Sequence, residues 1–181
     1  MPGFFIFAKR FAMPRPDLSR VPAYYHNYIS KVRKDDIGAK FADHQHQLLD
    51  FVGSIPAERW DHAYAPGKWT IKELVQHVID TERIFSYRAL CIARNDTTSL
   101  PGFDENAYVR SSKAEFRTKV DLIAELQSVQ RASVTLFASF DEAQLEATGT
   151  ANGKPIYVLG IAFILVGHTL HHMDILKERY L

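Results

Sequence analysis

Apolar positions recur at helical spacing through four long stretches of the chain, and proline- or glycine-marked breaks separate them. Between Asp35 or Asp36, either of which can cap a helix, and Ser54, the residues Phe41, Leu48, Leu49 and Val52 form one apolar face. Pro56 ends that stretch. The next helix has a sharply marked start: Thr70 and Glu73 have the spacing of a capping box, and Trp69 before the cap can pack on Leu74. It runs to about Arg94. A third helix spans about Lys119 to Phe140, with Leu122, Leu126, Val129, Leu136, Phe137 and Phe140 inward, and the last spans about Val158 to Tyr180. A short helix over 22–34 precedes them. Residues 95–118 read as one long loop, and ATGTANGKPIY as a turn-rich crossing that can form a short extended pair around Asn152 and Gly153. The pattern predicts an all-α four-helix bundle, with the short extra N-terminal helix along its side.

Composition and charge narrow the function classes. The 181 residues are 46% apolar and 24% charged, which suits one globular domain. A net charge of +1 leaves no electrostatic footprint for nucleic acid. The densest basic cluster, Lys31, Arg33 and Lys34, is followed directly by Asp35 and Asp36. The lone cysteine, Cys91, excludes an internal disulfide and a cysteine-based zinc site, and reads as a small buried hydrophobe. The apolar run Phe4 to Ala8 is too short for a membrane span and lacks the flanks of a signal peptide. The expectations are a cytoplasmic protein with no membrane segment, a tail at residues 1–14 (Met13 being an alternative start) and a domain at 15–181.

The chemistry rests on histidines. His168 and His172 are four residues apart, on one helix face and about 40° apart around it. Ile161, Ile164, Leu165, Ile175 and Leu176 share that side, so the pair points into the bundle. His77 lies among Leu74, Val78, Thr81, Ile84 and Phe85 on an equally apolar face. Three inward imidazoles match the open, catalytic pattern of a divalent metal site. Hydrogen-bonded core histidines are the competing reading. His171 is a rim residue, while His26, His44, His46 and His62 have ordinary surface or core roles. Asp80 either orients a ligand or is a helix-surface carboxylate. The 95–118 segment either covers a substrate pocket, with Phe103, Asp104, Glu105 and Tyr108 as walls, or is a plain connection.

WTIKELVQHVIDTERIFSYRAL resembles the Trp-[Ser/Thr]-x-x-Glu-x-x-x-His segment of the DinB/YfiT-like superfamily, and GHTLHHMDILKERYL resembles its closing His-x-x-His-His helix. The resemblance covers about residues 15–181. It implies a four-helix bundle, a homodimer, and a divalent metal, zinc or nickel, on His77, His168 and His172. It further implies a small-molecule substrate and a metal-dependent enzyme that activates water or a low-molecular-weight thiol. The alternative is a non-catalytic, metal-binding, stress-associated dimer. Many members carry Arg-Gly-Gln after the histidine pair, where this chain has Met173, Asp174 and Ile175.

Overall fold

The protein is described from a computed structural model covering residues 12–33, 35–38 and 41–181. In chain order its elements are α1 (His26–Lys31), α2 (Phe41–Ser54), α3 (Ile71–Ala93), α4 (Glu105–Ser112), α5 (Lys119–Ala138), α6 (Glu142–Glu146), the strands β1 (Thr148–Ala151) and β2 (Lys154–Tyr157), and α7 (Val158–Ile175). A π-helical turn, Leu176–Tyr180, extends α7. The long helices α2, α3, α5 and α7 form the bundle. Both α2 and α3 pack against α5 and α7, so α3 and α7, which carry the histidines, are direct neighbours.

Local sequence explains the boundaries. The Thr70–Glu73 box forms as the spacing predicts: Thr70 accepts from the Glu73 N–H, and the Glu73 carboxylate accepts from the Thr70 N–H at 2.7 Å. Asn152 and Gly153 both have positive φ (51° and 68°), the two-residue turn that an Asn-Gly pair favours, and β1 pairs antiparallel with β2 across it. Residues 158–169 of α7 are buried on every side. Val158–Tyr180 is long and apolar enough to cross a membrane, yet 78% of its most apolar window is buried against the rest of the chain. Its greasiness is that of a helix at the bundle centre.

Several expectations need correction. The 95–118 segment is not one loop. Asp104 caps α4 by accepting from the Ala107 N–H, and a 3-10 turn follows at Ala114–Phe116. Only Val109 of α4 is buried, so the helix carries no apolar stripe to betray it. The third long helix ends at Ala138, and α6 follows behind an Asp141–Gln144 capping box. The helix expected over 22–34 is a 3-10 turn (Ala23–Tyr25) followed by the short α1. Asp36 does not cap α2; it accepts from the N–H groups of Met13 and Gly38. Of the expected tail, residues 1–11 lie outside the described residues. Met13 is buried and its carbonyl accepts from the Ile37 N–H.

Candidate metal centre

His77 enters the site two turns after the α3 cap, and His168 and His172 stand one above the other on α7. The Nε2 of His77 lies 3.1 Å from that of His168, and the His172 Nε2 lies 3.0 Å from the same atom. All three offer nitrogens within 4.8 Å of one another. The residues are 8%, 6% and 6% exposed. Burial, reinforced by the neighbouring imidazoles, holds His168 and His172 well below the usual histidine range. Burial, with His171 nearby, pushes His77 down to about 4. All three are therefore neutral at pH 7, the form that ligates metals. His172 Nδ1 is buried with no hydrogen-bond partner.

Rings and backbone pack the cluster in place. The Trp69 ring lies 4.9 Å from that of His77. The Tyr180 hydroxyl donates to the Trp69 carbonyl at 2.6 Å, tying the chain's last turn to the start of α3. Tyr28 of α1 meets His168 edge-on at 5.5 Å and His171 at 5.2 Å. The Lys31–Asp174 ion pair, 2.7 Å, joins the same two helices.

A cleft of about 710 Å³ opens over the cluster. His77, His168 and His172 line it, with Trp69, Thr81, Phe85 and Ile164 from the bundle. Of the four wall residues expected from the 95–118 segment, Phe103 and Glu105 line the cleft. Asp104 is occupied as a helix cap, and Tyr108 packs on Phe103 while remaining largely exposed. Asp80 is not a member of the ligand cluster; it accepts from Gln76 at 2.9 Å. His171 meets His172 edge-on, outside the metal-ligand cluster. His26 contacts the Leu18 and Val21 carbonyls, and His62 packs on Tyr180. His44 and His46 lie on α2, away from the cleft lining. Cys91 is buried, as its residue type suggests.

Sequence reasoning missed Tyr25, Tyr28, Arg88, Asn152 and Lys154, which also line the cleft. A signal existed for Arg88: it follows His77 by eleven residues, three helical turns, and so repeats its face. No local signal brings the tip of the β1–β2 hairpin there. Leu100 does so, through its N–H to the Thr150 carbonyl and its carbonyl from the Asn152 N–H, both 2.9 Å.

A protein of Oceanobacillus iheyensis that carries the provisional name metal-dependent hydrolase is 24% identical over 133 residues, covering 72% of this chain and 76% of its own. One of Bacillus mycoides with the same provisional name is 21% identical over 167 residues, covering 88% and 96%. The solved structure of YfiT from Bacillus subtilis, described as having an unusual four-helix bundle topology, shares the fold with a TM-score of 0.69 at 18% identity, over 90% of this chain and 89% of that one. The DinB superfamily model matches residues 40–176, a span that holds all three clustered histidines, and the chain belongs to the DinB superfamily.

Proposed function

We propose that His77, His168 and His172 hold one divalent metal ion, and that the protein is a metal-dependent enzyme of hydrolase or thiol S-transferase type acting on a small molecule. The convergence of the three imidazoles at the floor of a cleft of about 710 Å³ carries this reading. The provisional names of the two curated relatives agree with it. The thiol variant follows the sequence resemblance.

The donor set fits such an ion. A neutral imidazole has one ring lone pair to give. The His168 Nε2 faces two other Nε2 atoms, and its single lone pair serves two N–H donors poorly. Three lone pairs directed at one cation are all satisfied. Ligand nitrogens about 2.0–2.1 Å from a tetrahedral zinc sit roughly 3.4 Å apart, a small adjustment from the observed spacing. Imidazoles suit zinc and nickel alike. Among the described residues the cluster has three members, which leaves a coordination position for a reactant, the catalytic arrangement.

A bound ion supplies Lewis acidity, which brings the pKa of water or a thiol toward neutrality. The chain supplies the surroundings. Trp69, Phe85 and Ile164 give the cleft apolar walls that limit water. Burial raises the hydroxyls of Tyr25 and Tyr28, so both stay protonated and able to donate to a bound molecule. Glu105 contributes a carboxylate to the wall.

Metal analysis of the purified protein beside His168→Ala tests the reading. About one equivalent in the wild type and a large loss in the variant is the expected result; equal content in the two overturns it. A chromogenic thiol-transfer or ester-hydrolysis assay before and after chelation then separates an enzyme from a non-catalytic metal binder.

A further inference from the structure

Arg88 stands on α3 three turns beyond His77, and its guanidinium reaches the same cleft. Side chains on a helix lean toward its N-terminus, so Arg88 reaches back toward the histidine end. Thr81 and Phe85 lie between them on the same lining. The residue is 3% exposed. Its guanidinium donates to the Pro101 carbonyl at 2.6 Å and has the Tyr25 hydroxyl nearby, so only part of its five N–H donors is used. The rings of Phe85 and Phe103 lie 4.9 and 5.9 Å from it. Among the described residues no carboxylate lies within ion-pair distance of it. A buried cation without a counter-ion is costly to keep, which makes it a seat for an anion that arrives with a ligand.

A second observation marks the same lining. The Thr81 hydroxyl is buried, belongs to the cleft wall and has no hydrogen-bond partner. Buried hydroxyls are normally paired, so this one awaits a polar group of the occupant. The guanidinium itself selects the anion. A single guanidinium, on a lining that also carries the Glu105 carboxylate, suits a monoanion better than a phosphate dianion, and its planar fork matches a carboxylate.

We propose that Arg88 binds the carboxylate of an acidic small-molecule substrate whose reacting end lies over His77, His168 and His172, with Thr81 bonding a polar group between the two ends. As a substrate seat, the assignment rests on the metal-dependent reading above. The cleft then discriminates by charge at one end and by chemistry at the other, and the aromatic walls hold the linking chain.

Hexanoate, hexanamide and hexyl phosphate serve as probes, titrated into the full-length protein as purified and after chelation. Trp69 in the cleft wall gives a fluorescence signal for occupancy. In the chelated wild type, hexanoate should bind at least tenfold more tightly than hexanamide and more tightly than hexyl phosphate. Arg88→Gln should reduce that preference to within twofold, Arg88→Lys should keep part of it, and Lys154→Met, at the exposed hairpin tip, should keep most of it. Equal binding of acid and amide, a preference retained in Arg88→Gln, or a preference lost in Lys154→Met overturns the proposal, and tighter hexyl phosphate overturns the choice of carboxylate. Should Arg88→Gln fail to fold, the wild-type comparison and Lys154→Met still decide. A chain that retains metal yet shows no preference refutes this assignment alone. A chain that retains no metal yet prefers the acid refutes the metal reading alone.

Discussion

The Cα of Gly167 lies against the backbone of Tyr28: a Cβ at position 167 would stand 2.1 Å from the Tyr28 carbonyl oxygen. Glycine at that position lets α1 lie directly on α7, one residue before His168, and sets the Tyr28 ring edge-on to that histidine. The obstacle is backbone, so it cannot rotate aside. Gly167→Ala should therefore destabilise the protein by about 1–3 kcal/mol or more, the range for overpacking, and weaken metal retention as α1 shifts. Denaturant unfolding with metal analysis checks both; a variant with wild-type stability would show that α1 is not held as described.

Metal and acid should act on the histidine cluster in opposite directions. Burial lowers the folded-state pKa of His77 to about 4, and places His168 and His172 well below the usual range. Between roughly pH 6.5 and 4 the unfolded chain takes up protons that the folded cluster refuses. The metal-free protein should lose stability as the pH falls through that window. At pH 7, zinc or nickel at a hundred times its Kd should stabilise the fold by about 2.7 kcal/mol. Melting curves across pH, with and without chelator, read out both effects. A metal-free melting temperature that rises on acidification toward pH 4, or no metal-induced shift at pH 7, contradicts them.

Glu82 should impose the reverse pH dependence from the α3–α5 interface. Burial pushes its carboxyl up to about 7, against the lowering effect of its Ser133 hydrogen bond. Between about pH 4.5 and 7 the folded protein keeps a proton that the unfolded chain releases. The contribution is full below the unfolded pKa and is lost as the pH rises through the folded one. Its size is on the order of 3 kcal/mol. Glu82→Gln preserves the neutral shape, so its stability relative to wild type should improve from pH 5 to pH 8. Parallel stability curves for the two proteins would count against a protonated Glu82.

Periodicity located α2, α3 and α5 because each buries a stripe, and a stripe is a local pattern; α7, buried on every side over residues 158–169, is marked instead by its continuous apolar run. The Thr70–Glu73 box and the Asn152–Gly153 turn were legible for the same reason, since their bonds close within a few residues. By contrast α4 and α6 escaped: α4 buries Val109 and α6 buries Leu145, and one inward residue makes no period. Their caps at Asp104 and Asp141 were readable signals, but weak without an apolar run behind them.

What the sequence determined by itself was the bundle, its caps, and three imidazoles on inward faces, because helical spacing converts residue number into direction. What only the tertiary structure decided was which side chains meet. The adjacency of α3 and α7 brings His77 within 3.1 Å of His168, across 91 positions of chain. The hairpin tip, α1 and Arg88 complete the cleft through contacts between distant segments. Such contacts depend on how helices cross and where backbones touch, as at Gly167 and Tyr28, and packing of that kind leaves no periodic trace in either segment alone.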